Sequence, residues 1–291
     1  MRVLVHLGLN KCASTYIQHA LDHMRSEMAA QGTWYPNGAD APCHYGLSKY
    51  YGFGPEADGL KTQTVADVVQ AAKSNGCQQL ILSSEYLSLY RPKAASRLLE
   101  DLKLIGCDAT FALFSRTLEP WIRSLFNQYV RTVEGGRYLR SIDDFVDQVL
   151  ANRAIDIAAR YKMWAGLVGQ DCLVHYRLKG GSPDSAVLSP FSEFSSMDLV
   201  PPENTIRNNS VDFNALHRIG QLRGRFRTQT EEVELSRLLS GAQCATAAPP
   251  GYMQISAARM ARMNAEIGEA YEALPYIELG PSDTEIAVAA A

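Results

Sequence analysis

The stretch that most constrains this chain is residues 3–21. Val3, Leu4 and Val5 open an unbroken apolar run, and Ser14 and Thr15 open a second pattern. In that pattern Ile17, Ala20, Leu21, Met24 and Met28 recur at helical spacing. A strand that feeds a helix through a short turn directs unpaired backbone N–H groups, with the positive end of the helix dipole, at one point. Such a point is an anion site, and phosphate is the anion that suits it best. Lys11, inside the turn 8–15, adds a full positive charge there.

The same alternation continues down the chain. Strand-like runs fall at 3–6, 33–35, 79–82, 110–114 and 172–176, and helical patterns at about 14–30, 65–75, 92–105, 118–133 and 142–168. Strands alternating with helices predict a mainly parallel sheet with helices on both faces, and continuous apolar strands fit a sheet covered on both sides. Ligands in such sheets bind beyond the carboxyl ends of the strands, where the turn 8–15 lies. Residues 36–60, rich in Gly, Pro, His and Tyr, read as a long functional loop, and 180–210 as a second loop-dominated segment. From Val211 the pattern is helical, near 212–224, 229–241 and 256–272. The expectation is a single domain with an α/β core over 1–215, a helical extension over 216–280 and a tail over 281–291.

Composition narrows the partners. With 291 residues and 46% apolar content the chain can bury a sizeable core. A formal net charge of −3 gives no support for a nucleic-acid or membrane-surface binder, so an anion must be held by a local cluster. No run approaches the ~18–20 apolar residues of a membrane span. The N-terminal apolar run, broken at Asn10 and Lys11, is too short for a signal peptide. The six cysteines have no CxxC and no zinc-like spacing, so they read as reduced thiols of a cytoplasmic protein.

The first turn does not carry the ATPase and kinase motif G-x-x-x-x-G-K-[ST]: Lys11 comes early and no second glycine precedes it. Glu85 is the nearest acidic strand end for magnesium. A kinase-like nucleotide-binding protein therefore stays as an alternative, with a non-catalytic module of the same fold as another. A second feature weighs more. The strand at 110–114 is followed by Arg116, then by Pro120 in the first turn of a helix, then by Ser124. Arg116 offers a forked, charge-assisted grip on an anion and Ser124 a hydroxyl.

Together these two sites resemble the P-loop-like sulfotransferases that use 3′-phosphoadenosine 5′-phosphosulfate (PAPS). That family has a first turn of the form P-K-[ST]-G-[ST]-[ST] on the 5′-phosphosulfate, and a strand-end Arg with a Ser eight residues later on the 3′-phosphate. Asn10, Lys11, Cys12, Ala13, Ser14 and Thr15 correspond to the first, and Arg116 with Ser124 to the second. Gln18, the run Ser83-Ser84-Glu85 and the late Asn208-Asn209-Ser210 also look like bacterial members, over about 1–215. Asn10 stands in place of proline, and Cys12-Ala13 in place of a Ser/Thr-Gly pair. Alanine restricts positive φ where glycine allows it.

The resemblance implies a P-loop-like three-layer sandwich and a PAPS-dependent sulfotransferase that needs no metal. Its acceptor would be a carbohydrate or a hydroxylated small metabolite. Lys11 would stabilise the departing phosphate oxygen, and Arg207 would cover the adenosine end. The base would be His44 or Glu85, with His44 preferred because histidine titrates near neutrality. His6 and His175, inside strands, read as structural. Tyr45, Tyr50, Tyr51 and Phe53 beside His44 read either as an acceptor wall or as core packing.

Overall fold

A computed structural model describes residues 1–36, 42–54, 61–131, 141–153, 155–179, 185–202 and 254–279. These gather into two compact units, one from within 1–117, 157–205 and 275–291, the other from within 118–156 and 206–274.

The first unit is built on a six-stranded, all-parallel sheet in the order β2-β3-β1-β4-β5-β6. Its strands are β1 (Arg2–Gly8), β2 (Thr33–Trp34), β3 (Gln79–Ser83), β4 (Asp108–Arg116), β5 (Leu173–Leu178) and β6 (Ile277–Leu279). In register, Val5 of β1 faces Leu82 of β3 on one side and Phe111 of β4 on the other. Val3 to Leu7 and Phe111 to Ser115 are all buried, which is why the central strands carry no polar alternation. Helices α1 (Ser14–His23), α2 (Arg25–Ala30), α3 (Tyr45–Tyr51), α4 (Val65–Ser74) and α5 (Pro92–Leu104) link the first four strands. α4 starts at a capping box: the Thr64 hydroxyl accepts from the Asp67 N–H (3.1 Å), and the Asp67 carboxylate accepts from the Thr64 N–H (2.9 Å). Its buried stripe is Val65, Val68, Val69 and Ala72. In α5, Pro92 occupies the first turn, and Ala95, Leu98, Leu99 and Leu102 face inward.

Between β4 and β5 the chain passes through the second unit, as α6 (Leu118–Arg131) and α7 (Ile142–Ala151), and returns as α8 (Ile157–Val168). α9 (Ser189–Ser195) follows β5. In the second unit α6 and α7 meet through Phe126 and Phe145, with ring centroids 5.6 Å apart. α10 (Ala257–Met263) continues through a π turn (Asn264–Gly268) into a last helical turn (Glu269–Glu272). It is tied to α7 by Arg259 and Arg262, 3.0 and 3.2 Å from the Asp147 carboxylate. Within this unit α6 and α7 close on each other, and α7 on the late helix.

Other boundaries shift for local reasons. The segment 36–60 contains a helix, α3, begun at His44 and ended at Gly52 with φ +84. The pattern 14–30 divides at Met24, and 142–168 divides where Arg153 takes φ +50. β6, only three residues long, has no apolar run to betray it. The helices expected at 212–224 and 229–241, and the tail, lie outside the described residues. Among the described residues no helix is long and apolar enough to cross a membrane.

Candidate functional site

The first turn grows from the end of β1. The Leu9 N–H donates to the Phe114 carbonyl (3.3 Å), and the Leu9 carbonyl accepts from the Cys12 N–H (3.1 Å). This closes a four-residue turn whose third residue, Lys11, has φ +66, the sign that a type II turn requires there. Ala13, at the N-cap of α1, has φ +63 and ψ 5. Each non-glycine residue in this region costs about 1–2 kcal/mol, and such residues cluster at binding sites. Ala13 has no side chain to cap α1, so the first N–H groups of the helix receive no cap from it.

The six residues of the turn divide by direction. Asn10 and Thr15 are exposed, Lys11 and Ala13 half-buried, and Cys12 and Ser14 buried. Cys12 is wholly buried, and burial pushes its thiol far above the ordinary range, so it fills the core as a neutral group. The departure Cys12-Ala13 thus has a local account. Position 12 offers its backbone to the turn and its side chain to the core, while position 13 adopts the glycine-like φ in spite of its Cβ.

Strand order brings the charged groups to one end of the sheet. β3, β1 and β4 are neighbours, and their carboxyl ends lead to Glu85, Lys11 and Arg116 respectively. Glu85 opens a short 3-10 turn (Glu85–Ser88) and is half-buried. Burial raises its pKa, with Lys11 pulling the other way. The charges of Arg116 and of Arg160 on α8 oppose the rise at Cys12, which puts a third cation near this end of the sheet. Arg160 stands in no motif and at no telling spacing, and only the return of α8 to the sheet exposes it. Tyr45 and Tyr86 flank Glu85, their rings 5.2 Å apart. Of the aromatics read either as an acceptor wall or as core packing, Tyr51 and Phe53 are core residues: Tyr51 bonds Asp101 (2.6 Å) and Phe53 stacks on Trp164.

His44 is placed otherwise than its sequence reading expects. It is 1% exposed. Its Nδ1 accepts from the Ser83 N–H (2.8 Å), and its Nε2 lies 3.1 Å from the Pro36 carbonyl, to which it donates. Its own N–H donates to the Ser83 carbonyl (2.9 Å). Burial lowers its pKa to about 4. The ring joins β3 to the segment after β2, and both nitrogens are engaged, which leaves none to take a proton from an acceptor. His175 is similarly bound, with Nε2 2.7 Å from the Ser115 hydroxyl and Nδ1 3.1 Å from the Pro275 carbonyl.

Arg116 ends β4 in the first unit, and Ser124 lies half-buried on α6 in the second. Arg207 lies outside the described residues. No protein-family model matches the chain, and no curated protein or solved structure matches it significantly.

Proposed function

We propose that the chain is a sulfotransferase that moves a sulfuryl group from PAPS to an acceptor hydroxyl. The observation that carries this reading is the convergence of Lys11, Glu85 and Arg116 beyond three adjacent strands, around a turn strained at Lys11 and Ala13. Lys11, the N–H groups of the first turn of α1, and the hydroxyls of Ser14 and Thr15 hold the 5′-phosphate. Arg116, at the end of β4, takes the 3′-phosphate.

In the reaction the acceptor oxygen attacks sulfur in line and the bond from sulfur to the phosphate oxygen breaks. The electron pair stays on that oxygen, where Lys11 stabilises it. The acceptor proton goes to Glu85, which replaces His44 as the base. A half-buried carboxylate of raised pKa is better matched to this task than one free in water. Tyr45 and Tyr86 wall the acceptor side, which suits a carbohydrate or another hydroxylated small metabolite.

Calorimetry with adenosine 3′,5′-bisphosphate against ADP tests the reading. Tighter binding of the bisphosphate is expected, and preference for ADP with magnesium would favour a kinase-like protein instead. Binding of neither would leave a non-catalytic module. Lys11→Ala should abolish transfer of labelled sulfate.

A further inference from the structure

His6 is a buried group that the proposed chemistry does not use. It is 0% exposed, lies in the middle of the sheet on β1, and is held edge-on by Phe114 and Phe191 at 4.9 and 5.4 Å between centroids. Its Nδ1 sits 2.8 Å from the Ser83 hydroxyl, which accepts from the Gln18 amide at 3.1 Å. Its Nε2 has no hydrogen-bond partner among the described residues. An unpaired buried ring nitrogen is costly and calls for a reason.

The direction of that nitrogen supplies one. His6 and Gly8 are two apart on β1 and share a face of the sheet. The point where a Cβ would project from Gly8 lies 2.8 Å from His6 Nε2 and 2.1 Å from Ser14 Oγ. The nitrogen is therefore aimed at the corner where α1 begins. Ser14 Oγ donates to the Leu9 carbonyl over 3.4 Å, a long bond that a charged acceptor readily replaces.

We infer that His6 is a positioning residue for the Ser14 hydroxyl, the last link of a hydrogen-bond chain directed at an anion on the first turn. Gln18 donates to Ser83 and Ser83 to His6 Nδ1; when an anion draws the Ser14 hydroxyl away from the Leu9 carbonyl, His6 Nε2–H, unpartnered until then, donates to Ser14 Oγ. The Ser14 proton is then turned outward to the anion. Every link donates in the same direction, so each polarises the next. Burial lowers the His6 pKa to about 3, so the ring carries one proton and this chain fixes it on Nε2. The inference rests on the anion-site part of the proposed function and does not need the sulfuryl donor. The competing arrangement is also visible: the Ser83 hydroxyl faces Tyr35, whose own proton goes to the Pro42 carbonyl. A Ser83 proton given to Tyr35 would leave His6 protonated on Nδ1 and reverse the chain.

Nitrogen-15 NMR of histidine-labelled protein decides between the two, with His6 assigned through His6→Gln. The expected result is an unprotonated Nδ1 and a protonated Nε2 whose resonance moves on titration with inorganic pyrophosphate. A proton on Nδ1, or an Nε2 resonance unmoved by saturating pyrophosphate, overturns the inference. His6→Gln, which keeps a donor near Nε2, should bind pyrophosphate within about threefold of wild type, whereas His6→Phe should lose about tenfold. In a Ser14→Ala background His6→Phe should cost nothing further, and an unchanged tenfold loss there overturns action through Ser14. The tautomer is read on the unaltered protein, so a His6→Phe variant that fails to fold does not remove the test. Wild type that binds pyrophosphate through His6 but not the bisphosphate would support this inference and overturn the sulfuryl-donor reading.

Discussion

The hydroxyl oxygen of Ser14 occupies the space that a side chain on Gly8 would need, 2.1 Å from the position of its Cβ. Glycine at position 8 thus serves close approach of helix to strand. A Gly8→Ala protein must displace Ser14 and press on a His6 ring already wedged between two phenylalanines. We expect a loss of about 1–3 kcal/mol in urea denaturation. Part of it should return in Gly8→Ala/Ser14→Ala, and strict additivity of the two changes would show that the contact does not matter.

Ala13 sits at φ +63 without the freedom of glycine. Ala13→Gly relieves about 1–2 kcal/mol of backbone strain but gives the unfolded chain about 0.4–1 kcal/mol of entropy, so it should raise stability by up to about 1.6 kcal/mol. Ala13→Val, β-branched in the same conformation, should lower it by about 2 kcal/mol. Equal stability of the glycine and valine proteins would mean that the turn does not hold this conformation.

Glu85 titrates higher in the folded protein than in the unfolded chain because burial disfavours its charge. Its ionisation therefore subtracts from stability as pH rises through the folded value. Glu85→Gln should melt higher than wild type, by a margin that widens as pH rises from the ordinary 4.5 through the raised folded value, while losing most of its turnover at saturating donor. Full turnover in this variant would remove Glu85 as the base.

The His44 ring bonds Ser83 and Pro36 and titrates near 4, below its ordinary 6.5. Its neutral form stabilises the fold fully above pH 6.5, and that contribution, on the order of 3 kcal/mol, is lost as pH falls toward 4. His44→Leu should be less stable at pH 7 and show a flatter stability profile between pH 7 and 4. A variant of wild-type stability with reduced turnover would return the base role to His44.

Lys11 at φ +66 combines strain with charge. Lys11→Gly keeps the backbone conformation at no steric cost, so it should fold at least as well as Lys11→Ala and be equally inactive in sulfate transfer. Activity retained in the glycine variant would show that the turn's N–H groups suffice without the ammonium.

Much of the fold was legible because its signals are local. The apolar runs of β1 and β4 and the stripe Val65, Val68, Val69 and Ala72 of α4 each announce an element within a few residues. β6 was not legible, since three residues pairing with β5 have no period to detect. α3 was hidden among Gly and Tyr, and its placement depends on His44 bonding Ser83 39 residues away. The site was read in the same uneven way. Lys11, Ser14 and Arg116 sit at strand ends that sequence order announces, whereas Arg160 has no motif and His44 was assigned a titration its burial removes.

The sequence by itself determined an α/β chain with a strand, a tight turn carrying Lys11 and a helix at its start, because hydrophobic period and turn chemistry act over short distances. Only the tertiary structure decided which side chains meet there. The order β3-β1-β4 sets Glu85, Lys11 and Arg116 at neighbouring strand ends, and burial separates a bonded His44 from a half-buried Glu85. Strand order and desolvation depend on partners far apart in the chain, and no local pattern records them.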